Sequence, residues 1–157
     1  MQTAVMFSKA SDEWSTPLEF WNGLDEEFHF TLDAAATAEN TLCDQWFGLG
    51  GVTSDALTAR WPTSGAIWLN PPYSKCREFI AKAADAAKHG ATVVCLVPSR
   101  TDTRWFHEHV WDRSQHVARP GVEIRFLKGR LTFGGASAGA PFPSVVIIFR
   151  GTTSRGA

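Results

Sequence analysis

The stretch Ile67–Lys75, "IWLNPPYSK", sets a short hydrophobic run directly against an asparagine, two prolines and a tyrosine. Proline has no backbone N–H and a fixed φ, so Pro71 and Pro72 end a strand and hold the next turn in one shape. The carbonyl groups of that turn therefore point in fixed directions. The pattern predicts a buried strand with a rigid, polar corner at its carboxyl end.

The residues on either side predict further helices and strands. Before the corner we expect a helix in "STPLEFWNGLDEEF", a strand in "FHFTLDAAA" and a helix from about Thr37 to Trp46. After it, Ser74 is the predicted N-cap of a helix that Gly90 ends. The apolar run "ATVVCLVP" is typical of a central parallel strand, and "TDTRWFHEHVW" predicts a shorter helix. "VEIRFLKGRLTF" and "PSVVIIF" predict two closing strands, possible partners in an antiparallel pair.

This order of elements predicts an α/β fold with a mostly parallel sheet and an antiparallel C-terminal strand. Ligands bind such sheets beyond the carboxyl ends of the strands. Asp33 and Asn70 end two of the predicted strands, so we expect one crevice to contain both. The 157 residues suffice for a single domain over residues 1–157, within which 1–12 and 151–157 are predicted to be mobile.

The composition argues against several classes of protein. No window approaches the ~18 continuous apolar residues of a membrane span, and no signal-peptide pattern is present, so we expect a soluble, cytoplasmic protein. Cys43, Cys76 and Cys95 are widely spaced and never form Cys-x-x-Cys, which argues against a disulfide framework and a zinc site. His107 and His109 point to different faces of their predicted helix, so no metal is expected.

The formal net charge of −1 hides an uneven distribution. Residues 1–74 contain two Lys/Arg and ten Asp/Glu, whereas residues 75–157 contain thirteen Lys/Arg and six Asp/Glu. Such asymmetry is typical of proteins that contact nucleic acid or membranes, although chance clustering on a solvated surface produces the same pattern. Charge by itself does not choose between these interpretations.

The asparagine and the prolines suit attack by a weak amine. The exocyclic amino group of a nucleobase is flat because its lone pair is delocalised into the ring, and it is therefore a poor nucleophile. If the Asn70 side-chain oxygen and the Pro71 carbonyl each accept one N–H, the nitrogen is held pyramidal with its lone pair aimed at an electrophile. The same acceptors stabilise the positive charge that grows during alkylation, and alignment of the reactants lowers the barrier further.

Tyr73, the only tyrosine in the chain, suits a stacking role. A base attacked in a duplex must leave the stack, and a pocket aromatic replaces stacking worth roughly 1–3 kcal/mol per base. The alternative is that Asn-Pro-Pro-Tyr is merely a rigid turn with a packed aromatic. Chance alone would place this tetrapeptide in roughly one chain in a thousand of this length.

The motif "NPPYS" after a hydrophobic strand resembles the catalytic motif of amino-methyltransferases that use S-adenosylmethionine. Over roughly residues 12 to 149 the chain resembles the phage-type (Dam-like) DNA N6-adenine methyltransferases. The matching segments are "EWSTP", "LDAAA", "DALTARW", "WLNPPYS", "LVPSRTDTRWFHE", "FLKGRLTF" and "APFPSVVIIF".

This resemblance implies a Rossmann-like S-adenosylmethionine-dependent methyltransferase fold. It implies transfer of a methyl group from S-adenosyl-L-methionine to the exocyclic amine of a flipped adenine in DNA. It also implies a phage- or prophage-encoded enzyme of the bacterial host cytoplasm, in the setting of DNA methylation and restriction-modification.

The resemblance also assigns site residues. The implied catalytic residues are Asn70, Pro71, Pro72 and Tyr73. The implied cofactor-binding residues are Thr16, Pro17, Asp33, Ala34, Ala35, Asp55 and Asn70. Asp33 suits the ammonium group of the cofactor, because a carboxylate reduces the penalty of burying a cation. Asp55 would accept from the cofactor's adenine amino group, or else is an ordinary loop or capping aspartate. "LDAAATAEN" departs from the glycine-rich turn common in comparable enzymes.

The implied substrate-binding residues are Tyr73, Arg100, Trp105, Phe133 and Phe142. Arg100 and Trp105 follow the predicted central strand and would face DNA or the base pocket; the alternatives are a surface ion pair and a core tryptophan. Phe133 or Phe142 could be the second wall of the base pocket, or either could belong to the core.

Other activities fit the same motif. Methylation of RNA adenine or of a protein glutamine uses the same amine chemistry, and the basic second half favours nucleic acid over protein. A non-catalytic DNA-binding protein of the same fold is a further alternative, against which the intact Asn70 and Tyr73 argue. The target sequence, the choice between duplex and single-stranded DNA, and the oligomeric state stay open.

Overall fold

A computed structural model describes residues 16–132 and 142–152. Its helices are α1 (Leu18–Phe28), α2 (Cys76–Lys88) and α3 (Arg104–His109), and a 3-10 turn covers Tyr73–Lys75. Its strands are β1 (Phe30–Asp33), β2 (Ala66–Leu69), β3 (Thr92–Pro98), β4 (Trp111–Asp112), β5 (Val117–Ala118), β6 (Val122–Phe126) and β7 (Ser144–Phe149).

Five of these strands form one sheet in the order β1-β2-β3-β7-β6. β1, β2 and β3 pair in parallel, and β7 pairs antiparallel with both β3 and β6. Four strands therefore run in one direction and β7 runs against them. This confirms the predicted α/β class and the antiparallel C-terminal strand. The short antiparallel pair of β4 and β5 was not predicted.

The sheet is covered on both faces, which explains why its central strands are apolar throughout. One cluster of buried side chains joins Ile67, Val93 and Ile147 to the α2 residues Phe79 and Ile80. The other cluster lies on the opposite face and joins Trp68, Val94, Leu96, Val146 and Ile148 to the α1 residues Trp21 and Leu24. Because successive residues of a strand point to opposite faces, each strand contributes to both clusters.

The predicted helix from Thr37 to Trp46 is wrong, since this segment consists of turns. Short polar side chains bond to nearby backbone and compete with helical hydrogen bonds. Thr37 N–H donates to the Asn40 side-chain oxygen at 2.7 Å, and the Thr41 hydroxyl donates to the Cys43 carbonyl at 2.8 Å. The segment then runs alongside β1 through a parallel bridge between Asp33 and Trp46.

One smaller prediction also needs correction. Ser74 is not the N-cap of α2, because Lys75 N–H donates to the Pro72 carbonyl at 3.0 Å and closes a 3-10 turn ahead of the helix. Within the segment 151–157, Gly151 N–H donates to Thr92 Oγ1 at 3.0 Å and Thr152 N–H donates to the Ala87 carbonyl at 2.9 Å, and the mobility of this segment stays a prediction. The rest of the segments predicted to be mobile lies outside the described residues.

Gly48 is a position where only glycine fits, and we predict that Gly48→Ala destabilises the fold by at least about 2 kcal/mol. Its φ is +139°, and an added Cβ would lie 1.7 Å from the Ala36 carbonyl oxygen. The matched control is Gly23→Ala in the exposed part of α1, where an added Cβ meets nothing within 4 Å. That change should raise stability by about 0.5–1 kcal/mol. Urea unfolding measures both, and equal stability of the two variants would contradict the assignment.

Candidate active site

A cavity of about 450 Å³ opens at the carboxyl ends of β1 and β2. Its size is typical of small-molecule sites, and its place is the edge at which α/β sheets bind ligands. It is lined by Thr16, Asp33, Ala34, Ala35, Ala36, Thr37, Asn40, Leu42, Phe47, Gly48, Leu49, Ser54, Asp55, Ala56, Leu57, Trp68, Asn70, Pro72, Lys75 and Phe79.

Asp33 is the most deeply buried charged group among these residues, with 3% of its surface exposed. Its carboxylate accepts hydrogen bonds from Ala35 N–H at 3.3 Å and Leu42 N–H at 3.1 Å. Burial nevertheless raises the pKa of Asp33 to about 7, because the loss of water outweighs these two bonds. A buried carboxylate that faces a cavity suits a cationic ligand group, which would favour the ionised form.

Backbone hydrogen bonds from residues 45–53 hold the β1 turn in place. Asp33 N–H donates to Gln45 at 3.1 Å, and the Asp33 carbonyl accepts from Phe47 N–H at 2.9 Å. Ala36 N–H donates to the Phe47 carbonyl at 3.0 Å, directly before Gly48. This segment forms a wall of the cavity that sequence reasoning missed. The glycines within residues 48–51 could have predicted this wall, because glycine lets one backbone segment approach another closely, here the turn after β1.

The proline corner contributes a further part of the cavity lining. Asn70 Nδ2 donates to Thr16 Oγ1 at 2.9 Å, and this bond ties the end of β2 to the residue before Pro17 and α1. Asn70 and Pro72 line the cavity, whereas Pro71 is buried and is not part of the lining. The structure therefore brings Asn70 and Asp33 into one crevice, as the ends of parallel strands require.

Tyr73 lies directly after this corner and is half-buried. Its ring meets that of Phe142 edge-to-face, with 4.9 Å between the ring centroids. Burial raises the pKa of Tyr73 above its ordinary value, so the phenol stays protonated. Two of the predicted base-pocket aromatics are thus in contact. Phe133 lies outside the described residues.

Six of the seven predicted cofactor-binding residues line the cavity: Thr16, Asp33, Ala34, Ala35, Asp55 and Asn70. Pro17 does not line the cavity. It directly precedes α1, and its carbonyl accepts from Trp21 N–H at 3.1 Å. Asp55 lines the cavity and also accepts from Leu57 N–H at 3.0 Å within its own turn. Its position therefore suits both interpretations offered for it.

Two residues beyond β3 have different surroundings. Arg100 is exposed on the loop after β3, at the same edge of the sheet as Asn70. Trp105 is only 7% exposed and packs within the main hydrophobic cluster, against Phe106. These surroundings favour the alternative of a core tryptophan, and the base-pocket role of Trp105 stays a prediction. Its place on the apolar face of a short helix was compatible with either role.

Lys75 and Phe79 line the cavity but were not predicted to do so. Lys75 ends the 3-10 turn and is exposed, and Phe79 lies on the first turn of α2. Both residues follow "NPPYS" in sequence, and this proximity to the motif was the only sequence feature that pointed to a place in the cavity. Among residues 16–132 and 142–152, no group of three His, Cys, Asp or Glu side chains is arranged to hold a metal ion. None of the helices in these ranges is long and apolar enough to cross a membrane.

Comparison with known proteins identifies the family. The sequence model of the family described as DNA N-6-adenine-methyltransferase (Dam) matches residues 4–155. The chain belongs to this family. The resemblance proposed from the sequence is thus confirmed.

Two curated relatives and one solved structure agree with the Dam family assignment. The DNA N-6-adenine-methyltransferase of Escherichia phage T1 is 35% identical over 98 residues, which cover 62% of this chain but only 40% of the relative. That of Haemophilus phage HP1 (strain HP1c1) is 32% identical over 125 residues, 76% of this chain and 70% of the relative. The crystal structure of 23S rRNA methyltransferase ErmE superposes with a TM-score of 0.54 at 13% identity and covers 88% of this chain and 70% of that one. This likeness confirms the methyltransferase fold.

The raised pKa of Asp33 predicts how the free energy of unfolding changes with pH. The folded-state pKa of about 7 lies above the ordinary value of 3.8, so the native protein holds this proton more tightly than the unfolded chain. Stability from this group is therefore greatest near pH 4 and falls as the pH rises to 7. At about 1.4 kcal/mol per pKa unit, we expect ligand-free Asp33→Asn to be about 2–4 kcal/mol more stable than wild type at pH 8. Urea unfolding at pH 5.5 and pH 8 checks this, and a difference that does not grow with pH would refute it.

Proposed function

We propose that this protein transfers a methyl group from S-adenosylmethionine to the N6 amine of adenine in DNA. Membership of the Dam family supports the reaction class. The observation that carries the proposal is the placement of Asn70 and Pro72 in the same cavity as the buried carboxylate of Asp33. One part of this cavity suits a cationic cofactor, and the other suits a weakly nucleophilic amine.

The residues of the cavity fit the cofactor. Asp33 would pair with its ammonium group, which explains why a carboxylate is buried there without a cation among the described residues. Ala34 and Ala35 leave room for close approach to the backbone, and Asp55 would accept from the adenine amino group. When bound, S-adenosylmethionine supplies an electrophilic methyl group.

The proline corner would act on the amine of the target adenine. The Asn70 amide oxygen and the Pro71 carbonyl would each accept one N–H and so direct the nitrogen lone pair out of the ring plane. The bond to Thr16 uses an Nδ2 hydrogen of Asn70, so it orients the amide without occupying an acceptor site on its oxygen. Acceptors held in this geometry before the amine binds would stabilise the growing positive charge without reorganisation. The methylated, cationic amine then loses its proton readily, and no strong base is required.

Tyr73 and Phe142 would form the walls that receive the extruded base. The edge-to-face contact between them fixes the orientation of the tyrosine ring. A base stacked on such a ring regains part of the stacking lost on leaving the duplex. The neutral phenol of Tyr73 adds a hydrogen-bond donor at the edge of this pocket.

A smaller set of cations than the sequence suggested is available to contact phosphates. Arg125 and Arg150 pair with Glu27 and Glu123, and Arg119 donates to the His107 carbonyl. The exposed cations near the site edge are Lys75, Arg77, Arg100 and Lys128. In the part of the chain that the structure describes, none of these four forms an ion pair. We propose that they hold the DNA backbone, in the cytoplasm of a bacterium that carries the phage or prophage.

The activity itself is tested by sequencing methylated adenines in DNA from cells that express the protein. We predict that Asn70→Ala lowers the rate of methyl transfer by at least about a hundredfold, the usual effect of removing a preorganised electrostatic group. The affinity for the cofactor should stay within about threefold of wild type, because Asn70 acts on the acceptor amine. Tritium transfer from labelled cofactor to DNA and calorimetric titration measure the two effects.

The matched control is Asp33→Asn, which should abolish cofactor binding because it removes the partner of the ammonium group. Thr16→Val removes the bond that orients the Asn70 amide, and we expect an intermediate loss of rate from it. Turnover by Asn70→Ala comparable to wild type would reject the role of this residue.

Arg100→Ala should weaken DNA binding and lower the slope of log affinity against log salt by about one. The charge-matched control is Lys88→Ala, because Lys88 is exposed at the carboxyl end of α2, at the opposite edge of the sheet. Fluorescence anisotropy with labelled DNA at several salt concentrations measures both slopes. Equal slopes for wild type and Arg100→Ala would exclude a phosphate contact at this residue.

A further inference from the structure

Phe126 is unusual among the aromatic side chains of this protein. It is 75% exposed, whereas every other aromatic residue within 16–132 and 142–152 is buried or half-buried. A single exposed apolar residue needs no explanation by itself. Phe126, however, lies at the edge of the sheet that carries the proposed active site, where the DNA substrate would bind.

The register of the sheet places Phe126 at this edge. Val145 pairs with Val97 of β3 and also with Phe126 of β6. Because β3 and β6 run in the same direction, Phe126 is level with the end of β3 and lies at the edge where β2 ends in Asn70. From β2 to β6 there are three strand spacings of about 4.8 Å, so Phe126 stands roughly 14 Å to the side of the proline corner.

The strand end that carries Phe126 is held firmly. Arg125 donates to both carboxylate oxygens of Glu27 at 2.7 Å, and it also pairs with Glu123. Leu127 packs against the hydrophobic cluster on the α1 face of the sheet. Phe126 is therefore flanked by two anchored residues and projects from a rigid support.

A cation accompanies the exposed ring. Lys128 is exposed two residues after Phe126, and Gly129 follows with a φ of +72°, so the chain turns at this point. An exposed aromatic ring next to an exposed lysine suits a nucleic acid duplex, because the ring can enter the base stack while the ammonium contacts a phosphate.

We propose that Phe126 is a wedge that enters the base stack of duplex DNA and supports extrusion of the target adenine, an inference that rests on the proposed function. The major groove is about 8.5 Å deep, so the place vacated by an extruded base lies on the order of 10 Å from the pocket that receives it. A wedge must therefore stand to the side of the catalytic residues, as Phe126 does. Its ring replaces stacking that the extruded adenine loses, which lowers the free energy of the extruded state.

The test compares two DNA duplexes that carry the target sequence found by methylation sequencing. In one duplex the target adenine is paired, and in the other it lies opposite an abasic site, where extrusion is easier. We expect Phe126→Ala to lower kcat/KM at least about tenfold on the paired duplex and less than about twofold on the abasic duplex. Phe126→Trp should restore activity on the paired duplex, because it restores an aromatic ring.

A second measurement follows extrusion without chemistry. With 2-aminopurine in place of the target adenine, wild type should raise the fluorescence of the paired duplex and Phe126→Ala should not. Val117→Ala is the control for loss of an exposed apolar side chain, since Val117 is 52% exposed in β5 and should behave as wild type.

The outcomes separate the wedge from the proposed function. An equal loss of kcat/KM on both duplexes would reveal a structural role for Phe126 and overturn the wedge. Wild-type rates for Phe126→Ala on the paired duplex would overturn it as well. Failure of the wild-type protein to methylate DNA at all would overturn the proposed function instead.

Discussion

The parallel pairing of β1, β2 and β3 is the constraint on which the site depends. Parallel strands all end at one edge of the sheet, so their polar terminal residues must converge there. Asp33 follows Leu32 at the end of β1, and Asn70 follows Leu69 at the end of β2. A carboxylate and an amide that are far apart in sequence thereby share one cavity.

The site is built at some expense of stability. Burial of Asp33 is unfavourable to its ionised form, and among the described residues two backbone N–H groups compensate in part for the lost water. A protein selected for stability alone would place a neutral residue here. The carboxylate is understandable if a cation occupies the cavity in the working enzyme, because the pair is then buried together. The Gly48 turn and the proline corner both contribute residues to the lining of this cavity.

The charges show how a local pattern and a folded surface differ. The excess of Lys and Arg after residue 75 is real, but Arg125 joins β6 to α1 through Glu27, and Arg150, which follows β7, pairs with Glu123 of β6. Only folding separates these structural cations from Lys75, Arg100 and Lys128 at the edge of the site. The net charge of residues 75–157 therefore overstates the number of cations that are available to contact a phosphate backbone.

Much of the fold and of the site could be read from the sequence, because local signals there agree with the tertiary structure. The apolar runs of β2, β3 and β7 have the length and content of strands covered on both faces, and the two prolines mark the end of β2. The motif "NPPYS" and the order of the flanking segments were specific enough to identify the family.

What the sequence could not reveal were the contacts between distant segments. A helix was predicted from Thr37 to Trp46, yet local bonds of its polar side chains and hydrogen bonds to β1 hold this segment as turns. Trp105 and Phe126 look alike as isolated aromatics, and only the register and the covering helices bury one and expose the other. Local propensity is set by neighbours in the chain, so the sequence by itself determined most of the strands and the polar corner. Burial is set by residues that folding brings close together, so only the tertiary structure decided which side chains are covered.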